Sequence, residues 1–377
     1  MPAFNTITIK GFKSIASIEN LELRPINLLI GPNGSGKSNF IEVFNFLRAI
    51  SEGGLQNYLL KANGANKVLY FGSKRTETIQ IRISFNEGDR QYRHEIDLHL
   101  ADNDQMVPQQ ENVYIYARIN SDGKLNSEPY EQNIISSGRE EAGISDPKRW
   151  NSGHVKYIHW VLNRLRPYHF HDTSRSSPMR VTSSLNDNRY FRSDGSNLAA
   201  FLYYLRKRHE VTYGLIRRAI QRAAPFFDDF LLEPLQLNES TIRLEWKHKG
   251  SDIHFDVSSL SDGTLRFMAL ATLFLQPDEY RPPVILLDEP EIGLHPYAIG
   301  LLAELIQEAS TTTQVIVATQ SPLLLDYFKP EDLLVADRVN EITRLTRLDS
   351  TRLATWLEDY SLGQLWEKNE LGGRHGD

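Results

Sequence analysis

The chain has 377 residues, of which 40% are hydrophobic and 24% charged, a composition typical of a folded globular protein of one or two domains. The absence of cysteine excludes disulfides, cysteine nucleophiles and cysteine-ligated metal sites, and the net charge of −6 excludes a uniformly basic coat for nucleic acid. No apolar run approaches the roughly 20 residues that span a bilayer, and the N-terminus does not resemble a signal peptide, so we expect a cytoplasmic protein without a membrane segment.

The first hundred residues combine strand and helix patterns. Alternation of polar and apolar residues predicts strands over residues 3–10, 79–85 and 92–100, and a purely apolar character predicts a buried strand over 26–30. Apolar residues at helical spacing predict a packed helix over residues 39–50.

The middle of the chain has a different composition. Polar residues and glycine dominate residues 101–153, which predicts a polar surface insertion. Residues 154–229 indicate a mostly helical lobe, with a long helix over 197–222 that is expected to break near Gly214. Short strands are predicted over residues 230–257.

The last third alternates aliphatic strands with helices. Residues 284–287 and 314–318 are short, nearly continuous apolar runs, whereas 265–275 and 298–310 have helical patterns. Strands that are apolar on both faces and are separated by helices predict an α/β fold with a mostly parallel sheet covered on both sides.

These patterns predict a discontinuous domain organisation. Residues 1–100 and 230–349 would form the main α/β lobe with an antiparallel strand subdomain, and the residues between them would be inserted into it. Residues 350–377 would form a C-terminal tail.

A glycine-rich turn follows the strand at 26–30 and opens a helix. It matches the phosphate-loop pattern G-x-x-x-x-G-K-[ST], which is Gly31, Pro32, Asn33, Gly34, Ser35, Gly36, Lys37 and Ser38. In such a loop the backbone N–H groups and the helix N-terminus surround phosphate oxygens. Lys37 would reach the β- and γ-phosphates of ATP, and the Ser38 hydroxyl would bind Mg²⁺.

Two carboxylates end the strand at 284–287. Asp288 is expected to hold Mg²⁺, through water, and Glu289 is expected to act as the general base that polarises the attacking water. Lys37 and Asp288 are far apart in the sequence, so a large segment must be inserted into one nucleotide-binding fold.

The segment Ser259-Leu260-Ser261-Asp262-Gly263-Thr264 resembles the signature motif of ABC-type ATPases. It stands between the phosphate loop and the Asp288-Glu289 pair, and Thr319-Gln320-Ser321 follows a final strand. This order, together with Gly11-Phe12-Lys13-Ser14, resembles the ATPase heads of RecF, SMC and OLD-like proteins, and most closely the stand-alone bacterial ATPases of the RecF/OLD group.

The resemblance implies an ATP- and Mg²⁺-dependent homodimer in which two heads enclose two ATP molecules. It implies that Lys13 and Asn39 bind ATP. It implies that Ser261, Asp262 and Gly263 contact the γ-phosphate bound by the partner head. It also implies a D-loop at the dimer interface, formed by Glu291, Gly293 and His295. Gln320 stands where many ABC proteins have a switch histidine, and a glutamine amide can bind the γ-phosphate but cannot titrate. The resemblance does not place the Q-loop, for which His171 and Asp172 are candidates.

A basic cluster lies in the predicted helical lobe. Its members are Arg206, Lys207, Arg208, Arg217, Arg218 and Arg222. They could contact nucleic-acid phosphates, as the corresponding lobe of RecF- and SMC-like dimers does, or they could form an ordinary solvated helix face.

Three functions fit the resemblance. The ATPase could regulate a separately encoded effector, such as a nuclease or toxin in defence against phage. It could instead bind DNA in repair or recombination, or serve as an ATP-locked scaffold with negligible turnover. No Toprim nuclease domain or long coiled coil is present in the sequence, so the ATP cycle is expected to act on another molecule.

Overall fold

A computed structural model describes residues 3–119, 124–125, 129, 131–136, 140–150 and 152–372. Strands and helices alternate along the first part of the chain. In order they are β1 Ala3–Phe12, β2 Ile15–Glu22, β3 Ile26–Ile30, α1 Lys37–Ser51, α2 Leu55–Lys61, α3 Ala65–Val68, β4 Thr78–Glu87, β5 Arg90–Ala101, β6 Gln105–Ile119, β7 Lys124–Leu125 and β8 Glu131–Ser136.

Helices and short strands occupy the middle. They are α4 Gly153–Leu162, β9 Pro167–Tyr168, β10 Ser183–Ser184, α5 Leu198–Arg208, α6 Glu210–Ala223, β11 Phe227–Leu231, β12 Pro234–Leu235, β13 Asn238–Ile242, β14 Glu245–His248 and β15 His254–Asp256. The last part contains α7 Asp262–Leu275, β16 Val284–Asp288, α8 Pro296–Ala309, β17 Gln314–Thr319, α9 Pro322–Leu325, β18 Leu333–Val339, β19 Ile342–Arg347, α10 Ser350–Leu357 and α11 Leu362–Glu367.

A six-stranded sheet in the order β19-β18-β3-β17-β16-β9 forms the centre of the protein. Its strands are parallel except for β19, which confirms the predicted mostly parallel core. Side chains alternate across each strand. Leu28 and Ile30 therefore face one hydrophobic core, which contains α5 to α8, while Leu29 faces a second core, which contains α1 and the other large sheet.

That second sheet is antiparallel and runs β2-β1-β4-β5-β6-β7, with β8 also paired to β6. It supplies the predicted antiparallel subdomain. The structure differs from the expected surface insertion after residue 101, because β6 pairs along the whole of β5 and buries Met106, Val113 and Ile115. The polar appearance of this strand comes partly from Glu111, which is fully buried 2.8 Å from His94 Nε2.

The expected single helical lobe over residues 154–229 also differs from the structure. Helix α4 packs into the second core through Val155 and Ile158, whereas α5 and α6 pack into the first core. The break between α5 and α6 lies at His209 instead of Gly214, since a turn there lets both helices bury an apolar face. Gly214 is accommodated inside α6.

The C-terminal segment is docked against the α/β core. Leu365 is fully buried, and the Gly363 backbone N–H donates a hydrogen bond of 2.6 Å to the Asp326 carboxylate, one residue after α9. Across the described part of the chain, no helix has the length and apolar character needed to cross a membrane.

Candidate nucleotide site

Residues 31–36 join β3 to α1 and form the predicted phosphate loop. Gly34 and Gly36 have φ angles of 80° and 105°, which side chains disfavour. At Gly36 a Cβ would also lie 2.1 Å from Thr343 Oγ1, and at Gly31 it would lie 2.4 Å from the Ala336 carbonyl oxygen. The loop thus needs glycine for its conformation and for its close contact with β18 and β19.

A chain of hydrogen bonds fixes this loop from outside. Asn39 Nδ2 donates to Ser14 Oγ at 2.7 Å, Ser14 Oγ lies 2.8 Å from Thr343 Oγ1, and Thr343 Oγ1 donates to the Ser35 carbonyl at 2.9 Å. Because the Thr343 proton goes to Ser35 and the Asn39 proton to Ser14, Ser14 must donate to Thr343. Thr343 was not among the predicted residues, since nothing local in the sequence connects it to the loop.

Lys37 begins α1 with its side chain folded back on the loop. Its Nζ donates to the carbonyl oxygens of Gly31 at 2.6 Å and Pro32 at 3.1 Å. Burial lowers the pKa of Lys37, while the carboxylates of Glu289 and Asp288 act in the opposite direction. A phosphate of ATP could replace the loop carbonyls as the acceptor for this amine.

The carboxylates at the end of β16 meet residues from two other segments. Gln320, directly after β17, donates through Nε2 to Glu289 Oε1 and, at 2.7 Å, to Asn33 Oδ1 in the phosphate loop. Glu289 has a φ angle of 45°, an unfavourable conformation for a residue with a side chain, held by a 2.7 Å hydrogen bond from its N–H to the Ala318 carbonyl. The structure therefore brings together the three predicted catalytic residues Lys37, Glu289 and Gln320.

Ser38 and Asp288 are the predicted Mg²⁺ ligands, and their chemistry suits that ion. Both supply oxygen ligands, which Mg²⁺ prefers, and neither side chain is hydrogen-bonded to a described residue. Within the same described residues, no group of three histidine, aspartate or glutamate side chains forms an independent metal site. Such a pair fits Mg²⁺, which usually takes its remaining ligands from phosphate and water.

His169 is a site residue that sequence reasoning missed. Strand β9 pairs in parallel with β16, with Tyr168 opposite Leu287, so the next residue along, His169, follows beside Asp288. Partial desolvation lowers the pKa of His169, and the Asp288 charge opposes this. The expected candidates, His171 and Asp172, lie further along this segment, where the Asp172 carboxylate accepts hydrogen bonds from Ser174.

Glu291 differs from the other predicted D-loop residues, because its side chain points into the protein. Its Oε1 accepts hydrogen bonds from Thr319 Oγ1 at 2.5 Å and from the Gln320 N–H at 3.2 Å. Burial raises the pKa of this carboxyl. The Glu291 side chain thus faces the interior of its own chain, whereas Gly293 and His295 are exposed, and a contact of this segment across a dimer interface stays a prediction.

The predicted signature segment forms the N-terminus of α7. Ser261 caps the helix by accepting a 3.2 Å hydrogen bond from the Thr264 N–H. Gly263 packs directly on the D-loop, since a Cβ there would lie 2.1 Å from the Gly293 carbonyl oxygen. Asp262 is held within the same chain by Arg180 at 2.9 Å.

The basic residues of α5 and α6 are only partly free. Arg217 pairs with Asp229 at 2.9 Å, Arg222 pairs with Glu304 at 2.8 Å, and Arg206 donates to the Leu232 carbonyl. The remaining three members, Lys207, Arg208 and Arg218, are exposed and form no side-chain hydrogen bond or ion pair with a described residue. A nucleic-acid contact here stays a prediction that depends mainly on these three.

Comparison with known proteins gives a family and a fold. The family described as "AAA domain, putative AbiEii toxin, Type IV TA system" matches residues 26–326. The chain belongs to this AAA-domain family. No curated protein matches the sequence significantly.

Solved structures of SMC heads have the same fold as this AAA-domain protein. A head bound to the C-winged helix domain of ScpA is 16% identical, with a TM-score of 0.60 over 93% of this chain and 99% of that one. A head from Pyrococcus furiosus, bound to the C-terminal domain of ScpA, is 16% identical, with a TM-score of 0.60 and coverage of 95% and 99%. One from Pyrococcus yayanosii is 15% identical, with a TM-score of 0.54 and coverage of 95% and 99%. They confirm the predicted ABC-type head, whereas the finer resemblance to RecF and OLD proteins stays a prediction.

Proposed function

We propose that this protein is a Mg²⁺-dependent ATP hydrolase whose ATP-bound form is a head-to-tail homodimer that regulates a separate effector. The observation that carries the proposal is the meeting of Lys37, Glu289 and Gln320 at the carboxyl ends of three adjacent parallel strands. Ligands of open parallel sheets bind at this edge, and the family and the fold both belong to nucleotide-dependent proteins.

The triphosphate would lie over the loop at residues 31–36, with Lys37 on its β- and γ-phosphates. A cavity of about 600 Å³ adjoins the loop and would receive the nucleoside. It is lined by Lys13, Asn39 and Gly34, and also by Phe71 of the segment after α3 and Arg338 of β18. The position of Lys13 and Asn39 in the wall of this cavity supports their predicted roles in ATP binding.

Glu289 would accept the proton of the attacking water. Gln320 fixes the position of the Glu289 carboxylate and joins it to Asn33. Movement of the phosphate loop would therefore shift the Glu289 carboxylate. Ser38 and Asp288 would hold Mg²⁺, which neutralises charge on the phosphates when it is bound. Since Gln320 competes with water for the Glu289 oxygen, we expect slow turnover in an isolated head.

The partner head would complete the site through the N-terminus of α7. Ser261 is exposed there, and Gly263 rests against Gly293, so the signature and D-loop form one continuous surface. Asp262 would contribute less, because Arg180 already neutralises it. This arrangement supports a closed dimer in which each Ser261 meets the γ-phosphate held by the partner.

Two findings from the comparisons support a separate effector protein. The family description names a type IV toxin–antitoxin system, which supports a role in toxin–antitoxin or defence systems. The related SMC heads were solved with a bound ScpA domain, which supports the use of this fold as a platform for a second protein.

Native mass spectrometry of Glu289→Gln, co-expressed with its neighbouring genes, tests the proposal. With Mg-ATP the variant should form a nucleotide-bound dimer with an effector attached. The reason is that ATP still binds while its hydrolysis is slowed. Adding Ser261→Arg should restore the monomer, whereas Ser240→Arg, an exposed serine in β13, should not. Dimers that persist in Ser261→Arg would exclude the signature-mediated closure, and a dimer without a second protein would exclude the effector.

A further inference from the structure

A second cavity, of about 240 Å³, lies around β9 at the edge of the parallel sheet. Its main lining residues are Arg164, Arg166, Tyr168, Arg189, Tyr190 and Tyr280. Arg164 and Arg166 precede β9, and Pro282, which also lines the cavity, precedes β16. Most of these residues therefore precede β9 and β16, whereas the proposed nucleotide site lies beyond the carboxyl ends of the same strands.

The three arginines of this cavity lack acidic partners. None of them forms an ion pair or a side-chain hydrogen bond with any residue that the structure describes. Nearby Arg192, in contrast, pairs with Asp187. Arg166 Nε is buried without an acceptor, which costs free energy unless a ligand supplies one.

Aromatic rings hold two of these guanidinium groups in place. The Arg164 guanidinium lies 4.2 Å from the centroid of the Trp160 ring, and that of Arg166 lies 4.4 Å from the centroid of Tyr190. Stacking of this kind occupies the face of a guanidinium and leaves its N–H edges free to bind. The cations are therefore oriented without being neutralised.

The electrostatics favour a ligand with more than one negative charge. Desolvation lowers the pKa of Arg164, and the neighbouring Arg166 charge lowers it further. One carboxylate, Glu279, lines the cavity, but it is exposed and lies 3.5 Å from His209 Nε2 on the adjoining helix end. Three arginines therefore face the cavity with a single, solvated acid beside them.

We propose that this arginine cavity, lined by Arg164, Arg166 and Arg189, binds a phosphate group, either free or at the end of a nucleotide chain. A guanidinium matches two phosphate oxygens with two parallel N–H donors, and a dianionic phosphate offsets more positive charge than a carboxylate does. The tyrosine walls leave room beside the phosphate for the group that carries it.

Equilibrium dialysis of the full chain with radiolabelled inorganic phosphate tests this proposal. The phosphate loop can also bind phosphate, so the measurement compares variants in which that loop is unchanged. We expect Arg164→Gln/Arg166→Gln to lose one bound phosphate per chain, with affinity at this site weakened about tenfold or more. Arg352→Gln, an exposed arginine in α10, is the matched control and should bind as the wild type does.

Arg189→Gln provides a second variant on an exposed loop, in case the half-buried pair disturbs folding. It should weaken the same binding event while the thermal unfolding temperature stays unchanged. Equal phosphate binding by wild type, the double variant and Arg189→Gln would overturn the proposal, as would an equal loss in Arg352→Gln. Displacement by a 5′-phosphorylated dinucleotide, but not by its 5′-hydroxyl counterpart, would assign the phosphate to a nucleic-acid end, and no displacement would assign it to a free phosphate.

Discussion

Gln320 connects the two halves of the nucleotide site with one amide group. Both Nε2 hydrogens are used, one on Glu289 and one on Asn33. A histidine in this place could change its charge near neutral pH, but the amide cannot. The link between the phosphate loop and Glu289, the proposed general base, is therefore expected to be the same across the physiological pH range.

Because the carboxyl of Glu291 is buried, we expect the free energy of unfolding to depend on pH. Burial raises its pKa, so between its ordinary and its raised pKa the folded state binds more protons than the unfolded state. The free energy of unfolding therefore falls as the pH rises through this window, by about 1.4 kcal/mol for each pH unit of the window. Glu291→Gln cannot ionise and should gain stability relative to wild type as the pH rises above the ordinary pKa of a glutamate, 4.5.

Urea unfolding of both proteins between pH 4 and pH 8 measures this difference. The amide also occupies the position of Glu291 Oε2, which has no hydrogen-bond partner in the described structure, but that effect is constant with pH. Stability curves that stay parallel over the whole range would show that Glu291 does not titrate as its burial requires.

At the scale of elements, the N-terminus of α7 packs directly against the predicted D-loop. Gly263 allows the helix to approach the Gly293 carbonyl, and buried Arg266 of the same helix donates to the carbonyl of Phe170 at 2.9 Å, just after β9. Helix α7 is thus tied to the segments that follow both β9 and β16. A displacement of the signature should reach His169 and Asp288 through these contacts.

Gly263→Ala tests how tight this packing is. Its Cβ would meet a backbone oxygen at 2.1 Å, so we expect a loss of about 1–3 kcal/mol in the free energy of unfolding. Gly153→Ala is a suitable control, because Gly153 also lies in the first turn of a helix, α4, and a Cβ there meets nothing within 4 Å. A smaller loss in Gly263→Ala than in Gly153→Ala, measured by thermal unfolding, would contradict the close contact.

Elements whose residues follow one consistent pattern could be predicted from the sequence, while elements with mixed patterns could not. Strands β3, β16 and β17 are nearly all apolar because both faces are covered, and their positions follow directly from the sequence. Strand β6 was missed as a long strand because buried Glu111 interrupts its apolar face, and only the distant His94 explains that residue. The side of the sheet on which α4 packs depends on tertiary contacts that no local pattern reveals.

For the whole molecule, only some of the basic side chains are free to bind nucleic acid. The net charge of −6 opposes non-specific attraction to nucleic acid, and half of the basic cluster on α5 and α6 is already engaged in contacts within the protein. Any phosphate contacts in this region must therefore come mainly from Lys207, Arg208 and Arg218. These three residues are the ones to alter.

The triple reversal Lys207→Glu/Arg208→Glu/Arg218→Glu should weaken binding to duplex DNA if this surface is used. Each lost phosphate contact lowers the slope of log affinity against log salt concentration by about 0.9. Fluorescence anisotropy at several salt concentrations gives this slope. The control is charge reversal at Lys61, Lys249 and Arg352, which are exposed on other parts of the surface and change the net charge by the same amount. The same slope in both variants would rule out a specific contact.

The candidate site was predictable where a motif carries it. The phosphate loop, the Asp288-Glu289 pair and Gln320 each follow a buried strand, and parallel strands bring their carboxyl ends together. His169 and Thr343 could not be found in this way, because their positions depend on which strands become neighbours. The pairing of β9 with β16 and of β18 with β3 is decided by the assembled sheet.

The hydrogen-bond chain from Asn39 through Ser14 and Thr343 to Ser35 has a consequence for how the protein is made. Ser14 and Thr343 are 329 residues apart, and both strands that flank β3, β17 and β18, are synthesised in the last quarter of the chain. A nascent chain still on the ribosome carries Lys37 early, yet it lacks the Thr343 hydrogen bond to Ser35 until synthesis has passed residue 343. Truncated translation products that end before residue 343 should therefore have a less ordered phosphate loop than the full chain.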